Sequence, residues 1–318
     1  MIGIRADLTE LDLPAVYFSI NDYISSTARW CPGCGDHAIL TAVQKLCREE
    51  QLPPEKTVFV SGIGCSSRFP HYMKTYGFHG LHGRAFPVAE GVKFRRPDLD
   101  VFVITGDGDC TSIGAGHWVH AIRYNMKMVV LLFDNEIYGL TKKQTSPTSP
   151  KGTLSNTTPK GSVLPPLNPI QSTLGFSNVS FVAQTVDWNP AHLYATIKKA
   201  HEHPGLSFVR ILQRCPVWMG QGFSAVVSDP DAVVLLDHEN GIEIDDRVRK
   251  MFPKTIKHDP ADINKAREYA ELKDAYPIGL FYQNKEAERY DEYGAHNINM
   301  PVKERLEGFN TLLDRYAI

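Results

Sequence analysis

The chain has 318 residues, of which 42 % are hydrophobic, enough to bury the core of one large domain or of a domain with an arm. A formal net charge of −2 gives no basic field to attract nucleic acid, and no apolar run reaches the length that a membrane helix needs. The opening MIGIRADLTELDL lacks the order of a secretory signal, so the expected location is the cytoplasm, where Cys31, Cys34, Cys47, Cys65, Cys110 and Cys215 are not expected to form a disulfide framework.

In chain order, Asp36 to Glu50 predicts a helix with Ile39, Leu40, Val43, Leu46 and Cys47 on one face and Asp36 as N-cap. TVFVSGIG from Thr57 reads as a buried strand, and VFVIT from Val101 as a second. A helix follows through Trp118, Val119 and Ile122, and MVVLLFD from Met128 is a third strand. The stretch Thr145 to Gln171 is rich in Ser, Thr, Pro and Gly without periodicity, so it reads as a long functional or disordered loop. SFVAQT from Ser180 is a fourth strand, Asn189 and Pro190 open another helix, and SFVRILQR from Ser207 closes the series. Apolar strands alternating with amphipathic helices indicate an α/β fold, a doubly wound and mainly parallel sheet with helices on both faces. The expected division is an N-terminal segment 1–29, a central domain 30–225 and a C-terminal arm 226–318 that is charged, Tyr-rich and free of further strand–helix alternation.

Two constellations carry chemistry. GDGD, Gly106 to Asp109, follows one strand, and Asn135 follows the next. Glycines let backbone approach a phosphate closely. Asp107 offers a hard carboxylate oxygen, Asn135 an amide oxygen and Ile137 a backbone carbonyl, which suits Mg²⁺ completed by phosphate oxygens and water. Alone, GDGD is as readily a tight turn; the pairing with DNEIYG at a second strand end gives it a function. The other constellation is cysteine. WCPGC places Cys31 and Cys34 before a helix, and Cys65 and Cys215 each end a strand. Ligands of open α/β sheets bind at those ends. Four thiolates there can hold a cubane cluster or zinc. Cys47 and Cys110 read as small buried residues.

WCPGCG, SGIGCSSR, HGLHGRAFPVAEGVK, GDGD, DNEIYGLTKKQTSPT and RCPVW, in this order from Trp30 to Trp218, together resemble the β subunits of 2-oxoacid:ferredoxin oxidoreductases, with the 2-oxoglutarate branch the most similar. The resemblance implies a thiamine-diphosphate-binding domain in which Cys31, Cys34, Cys65 and Cys215 ligate a [4Fe–4S] cluster. It implies Asp107, Asn135 and Ile137 as ligands of Mg²⁺. Around the cofactor it places Gly106, Gly108, Asp109, Leu140 and Thr141, with Ile63, Gly64 and Ser66 between cofactor and cluster and His82 and Gly83 close by. It further implies CoA-dependent oxidative decarboxylation of a 2-oxoacid to acyl-CoA and CO₂, with electrons leaving through the cluster to ferredoxin. An α subunit would carry the pyrimidine domain, so that this chain is half of an active site.

Arg68, three residues after Cys65, is a candidate to bind the substrate carboxylate; its plainer reading is a surface ion pair. Lys142 and Lys143 are weaker candidates for that task, and Arg84 for a contact between subunits. His71, His79, His117 and His120 read as structural or exposed. Two other functions remain open at this point: a non-redox thiamine-dependent decarboxylase or synthase with structural zinc, and an electron-transfer subunit that has lost thiamine, against which the intact GDGD and Asn135 argue.

Overall fold

The computed structural model describes residues 17–295 and 301–315. Parts of the expected N-terminal segment and C-terminal arm, residues 1–16, 296–300 and 316–318, lie outside the described residues.

The chain opens with helix α1 (Asp36–Glu49), strand β1 (Thr57–Ser61), edge strand β2 (Tyr76–His79) and α2 (Ala85–Arg95). It continues through β3 (Asp100–Gly106), α3 (Ala115–Tyr124), β4 (Val129–Asp134) and a small hairpin, β5 (Ile137–Tyr138) with β6 (Gln144–Thr145). Then come α4 (Pro169–Leu174), β7 (Phe181–Val186), α5 (Pro190–Glu202), β8 (Ser207–Leu212) and α6 (Ser224–Ser228). The C-terminal part adds β9 (Val233–Asp237), α7 (Asp246–Met251), β10 (Thr255–Lys257), α8 (Ile263–Ala270), β11 (Tyr276–Gln283), α9 (Tyr290–Ala295) and α10 (Val302–Asp314).

Nine strands form one sheet in the order β10-β9-β11-β7-β8-β4-β3-β1-β2, parallel throughout except where β11 meets β7. Side chains alternate across it, as strand geometry requires. Phe59, Phe102, Ile104, Leu131, Phe133 and Ile211 face a core closed by α1 and α5. Val58, Val60, Val103, Val130, Leu132 and Phe208 face a second core closed by α2, α3, α4 and α8. Phe59 and Phe102 stack at 4.9 Å between centroids, and burying each contributes about 1.5–3 kcal/mol. Both faces are covered, which is why the strands read as unbroken apolar runs rather than alternating ones.

Two expectations are corrected. The segment after Phe223 is not free of strands: β9, α7, β10, α8 and β11 continue the alternation and extend the same sheet. Their short length and charged helices hid the pattern. Asp36 is not the cap of α1. Gly35 holds that position, Asp36 is the first helical residue, and both its carboxylate oxygens are buried without a hydrogen-bond partner among the described residues. Of the two readings of the Ser/Thr/Pro-rich loop, functional or disordered, its start after β6 is ordered: Ser146, Thr148 and Ser149 are buried and hydrogen-bonded.

Candidate active site

The carboxyl ends of β1, β3, β4 and β8, four neighbours in the sheet, deliver their following loops to one edge. Between the loops after β1, β3 and β4 lies a cleft lined by every residue expected around the cofactor except Gly83. Gly83 stands just behind it, donating its N–H to Asp109 Oδ1 at 2.7 Å. Phe133, Tyr138 and Gly139 also line the cleft and were not anticipated. A larger hollow of about 760 Å³ opens beside His238 and His258, away from these strand ends. Size therefore does not identify the site; the convergence of polar groups does.

The GDGD turn is shaped by its neighbours. A β-carbon on Gly108 would lie 2.1 Å from the ring of Tyr138, so only glycine lets that ring pack flat against the turn. The Tyr138 hydroxyl donates to the Gly108 carbonyl at 3.1 Å. Asp109 has a binding task of its own. Its carboxylate accepts from Ile63 N at 3.1 Å, Gly83 N at 2.7 Å and Thr105 Oγ1 at 2.8 Å, and it pairs with His82 Nδ1. It thereby locks the loops after β1 and β2 to the end of β3.

Asp107 is 3 % exposed, and its Oδ2 accepts from Ser146 Oγ and from Thr148 Oγ1 at 2.8 Å. Burial first, and then the neighbouring Asp134, push its carboxyl up to about 7 despite those hydroxyls. The cation nearest in the network, Arg210, is already engaged: it makes a two-pronged pair with Asp134, Nε at 2.7 Å and Nη2 at 2.6 Å. A buried carboxylate without its own counter-charge fits a divalent cation. Asn135, 9 % exposed, accepts from Ile137 N at 3.1 Å, which curls the turn so that amide and backbone both reach the cleft. Glu136 between them takes φ +61°, a left-handed conformation that non-glycine residues rarely adopt and that concentrates at functional turns. Its carboxyl is pushed up to about 8, mainly by burial.

The cysteine set lies immediately beyond. A β-carbon on Gly139 would be 3.6 Å from Cys65 Sγ and 3.7 Å from Cys215 Sγ, so glycine keeps the wall between cleft and sulfurs thin. Cys34 N–H closes the CxxC turn onto the Cys31 carbonyl at 3.1 Å, and Gln213 Nε2 donates to Cys34 Sγ at 3.3 Å. Burial raises the thiols of Cys34, Cys65 and Cys215, that of Cys65 to about 12; the charge of Asp36 adds to all three, and neighbouring cysteines add to Cys34 and Cys65. Asp36 itself is pushed up to about 7, by burial first. Thiols held neutral by burial beside a buried acid would ionise together only around a strongly positive partner, which is what a metal cluster supplies. Among the described residues no three His, Cys, Asp or Glu side chains are placed to hold a single metal ion. Cys31 is exposed, whereas Cys47 and Cys110 are buried in the two cores as expected.

Arg68 does not line the cleft. It lies on the turn of helix after Cys65, half-buried, with its guanidinium 6.0 Å from the centre of the Tyr72 ring, and no carboxylate among the described residues pairs with it. His79 is structural, its Nδ1 donating to the Ser67 carbonyl at 2.7 Å, and His120 is exposed. Arg84 Nη1 donates to the Ile113 carbonyl at 3.2 Å. Lys142 and Lys143 both take positive φ, +72° and +78°, in the hairpin loop beside the cleft.

Fold and site define a class. The model of the thiamine pyrophosphate enzyme C-terminal TPP-binding domain matches residues 62–211, the stretch from the end of β1 into β8, and the model of the C-terminal part of the pyruvate ferredoxin oxidoreductase β chain matches 244–296. A 2-oxoglutarate oxidoreductase subunit KorB of Mycobacterium tuberculosis is 48 % identical over 198 residues, 62 % of this chain and 53 % of that protein. A 2-oxoacid:ferredoxin oxidoreductase subunit beta of Saccharolobus solfataricus is 38 % identical over 83 % of this chain and 84 % of its own. A solved 2-oxoglutarate:ferredoxin oxidoreductase from Magnetococcus marinus, with 2-oxoglutarate, coenzyme A and succinyl-CoA bound, superposes with a TM-score of 0.77 at 37 % identity, covering 91 % of each chain. The chain belongs to the β-subunit family of the 2-oxoacid:ferredoxin oxidoreductases. Among the described residues no helix is long and apolar enough to cross a membrane.

Proposed function

We propose that this chain is the thiamine-diphosphate and [4Fe–4S] half of a cytoplasmic 2-oxoacid:ferredoxin oxidoreductase, acting with coenzyme A on 2-oxoglutarate. The observation that carries this reading is the arrangement at one sheet edge. Asp107 and Asn135 line a cleft whose wall at Gly139 leaves Cys65 Sγ and Cys215 Sγ within 3.7 Å of where a β-carbon would stand. A group that releases electrons and a group that takes them one at a time would sit side by side. That adjacency favours a redox-active cluster over zinc, which carries no electrons.

Bound there, thiamine diphosphate supplies the carbanion chemistry of decarboxylation and the cluster supplies one-electron transfer. The chain's residues hold and orient. Asp107, Asn135 and the Ile137 carbonyl would ligate Mg²⁺ against the diphosphate, and the bare backbone at Gly106 and Gly108 leaves room for it. Cys31, Cys34, Cys65 and Cys215 would ligate the cluster, and exposed Cys31 gives electrons a route to ferredoxin. The guanidinium of Arg68, with no carboxylate partner among the described residues, is available to a substrate carboxylate. Leu140 and Ile113, both about half exposed beside the cleft, offer apolar surface to an α subunit that completes the cofactor site. Helix α10, with Leu306, Phe309, Leu312 and Leu313 all exposed, gives the C-terminal arm a face for contact with another subunit.

The test is CoA-dependent reduction of ferredoxin or viologen by the chain assembled with its α subunit, comparing 2-oxoglutarate, pyruvate and 2-oxobutyrate. Highest kcat/KM with 2-oxoglutarate is expected. Preference for pyruvate would overturn the substrate assignment, and no reduction with any 2-oxoacid would overturn the activity.

A further inference from the structure

Ser146, Thr148 and Ser149 carry none of the roles assigned so far, yet they are only 8 %, 2 % and 4 % exposed. Burying a hydroxyl is unfavourable unless it is hydrogen-bonded, so the partners of these three are informative. Ser146 Oγ donates to Asp107 Oδ2. Thr148 Oγ1 lies 2.8 Å from the same Oδ2 and 2.9 Å from Asp134 Oδ1. Ser149 Oγ donates to the Glu136 carbonyl and accepts from the Ser146 N–H at 2.8 Å. One short loop thus ties the turn after β3, which carries Asp107, to the turn after β4, which carries Asn135 and Ile137.

The tie is anchored in the sheet. Asp134 is gripped by Arg210 on β8, whose Nη1 donates to Gln184 Oε1 on β7 at 3.0 Å. Both hydroxyls meet the same carboxylate oxygen, so Asp107 Oδ1 has no side-chain donor among the described residues. The carboxylate is held from one side and presented from the other.

We propose that Ser146, Thr148 and Ser149 form a hydroxyl clasp of positioning residues, which fixes Asp107 relative to Asn135 and Ile137 and so makes the cleft selective for Mg²⁺ over larger divalent cations. This rests on the reading of the cleft as the metal–diphosphate site. Mg²⁺ requires a near-ideal octahedron with bonds of about 2.0–2.1 Å, whereas Ca²⁺ accepts six to eight oxygens at about 2.3–2.6 Å in flexible geometry. A ligand free to swing penalises the first ion far more than the second. Groups that orient metal ligands typically account for about 10–100-fold in metal affinity.

The test uses the full-length chain in its native assembly, stripped of metal and cofactor. Thiamine diphosphate is titrated by tryptophan fluorescence in Mg²⁺ and, separately, in Ca²⁺. Thr148→Val keeps the shape and removes the hydroxyl; Thr148→Ser restores the hydroxyl. Thr148→Val is expected to weaken binding in Mg²⁺ by about 10–100-fold and in Ca²⁺ much less, while Thr148→Ser stays close to wild type. Unchanged affinity in Mg²⁺ would overturn the proposal. So would equal weakening in both metals, which is the signature of a loosened loop, or a Thr148→Ser variant as weak as valine. Should Thr148→Val fail to assemble, Ser146→Ala carries the same two-metal comparison. A wild-type protein that binds no thiamine diphosphate in either metal would fail the cleft assignment itself, and the clasp with it.

Discussion

Gly108→Ala offers a test in which geometry alone sets the outcome. Gly108 has φ −68° and ψ −33°, a conformation that alanine adopts without strain, so the backbone contributes nothing to the effect. The new methyl would lie 2.1 Å from Tyr138 Cε1 and 2.3 Å from Cζ. Carbon atoms pack at about 3.5–4.0 Å, so the ring must retreat by well over an ångström. Tyr138 adjoins Ile137 and is held to the Gly108 carbonyl by its own hydroxyl. Its retreat therefore drags the turn that presents Asn135 and Ile137. Overpacking of this kind costs about 1–3 kcal/mol. If the whole strain falls on the bound geometry, thiamine diphosphate affinity drops by about five- to a hundred-fold. The assay is a cofactor titration at saturating Mg²⁺ on Gly108→Ala, Tyr138→Ala and the double variant. Removing the ring makes space for the methyl, so the double variant should bind no worse than Tyr138→Ala alone. Additive losses would refute the packing argument, and normal affinity in Gly108→Ala would refute the placement of the ring.

Cys215→Ala should lower iron content and abolish ferredoxin reduction, whereas Cys47→Ala, buried in the core, should keep its iron; elemental analysis of anaerobically purified protein decides between them. Arg68→Ala should raise KM for 2-oxoglutarate by about ten- to a hundred-fold, since removing one partner of a charged pair costs about 2–5 kcal/mol when the site is dry and less at a half-buried position, while iron and thiamine contents hold; unchanged steady-state KM would return Arg68 to the surface. Stability should fall with acid in a defined window. Burial, together with the nearby charge of His238, depresses the His192 ring to about 3, and burial likewise takes His203 and His238 to about 4. The unfolded chain binds those protons below about 6.5 and the folded chain does not, so their neutral-form stability is full above that pH and is lost as pH falls towards 4. Each contributes a slope of about 1.4 kcal/mol per pH unit, and His192→Gln should remove one such share from urea-unfolding free energies measured between pH 6 and 4.5.

The sequence resolved the parts of this protein whose local signal and tertiary role coincide. Strands such as Val129–Asp134 are buried on both faces, so composition alone marks them. Asp107, Asn135, Cys65 and Cys215 follow strand ends, where sheet topology brings distant residues to one edge whatever lies between. What stayed hidden depended on pairings across the chain. Asp36 looks like a cap by type and position, but the cap position belongs to Gly35, packed against Asp187 and Gln213, about 150 or more residues away, which no local rule sees. The clasp residues sit in a loop whose polar composition reads equally as functional or as disordered. Only their partners Asp107 and Asp134 show why three hydroxyls are buried there. Strands β9 and β10 are short and flanked by charged helices; β9 finds its place in the sheet by pairing with β11, and β10 by pairing with β9.

The most direct test is spectroscopic. The chain and its α subunit, assembled and purified without oxygen, should be brown, and addition of 2-oxoglutarate should bleach that absorption and generate a reduced-cluster electron paramagnetic resonance signal only when thiamine diphosphate and Mg²⁺ are present. A colourless, zinc-containing assembly, or an iron–sulfur chromophore indifferent to substrate and cofactor, would contradict the coupling of the two sites across Gly139.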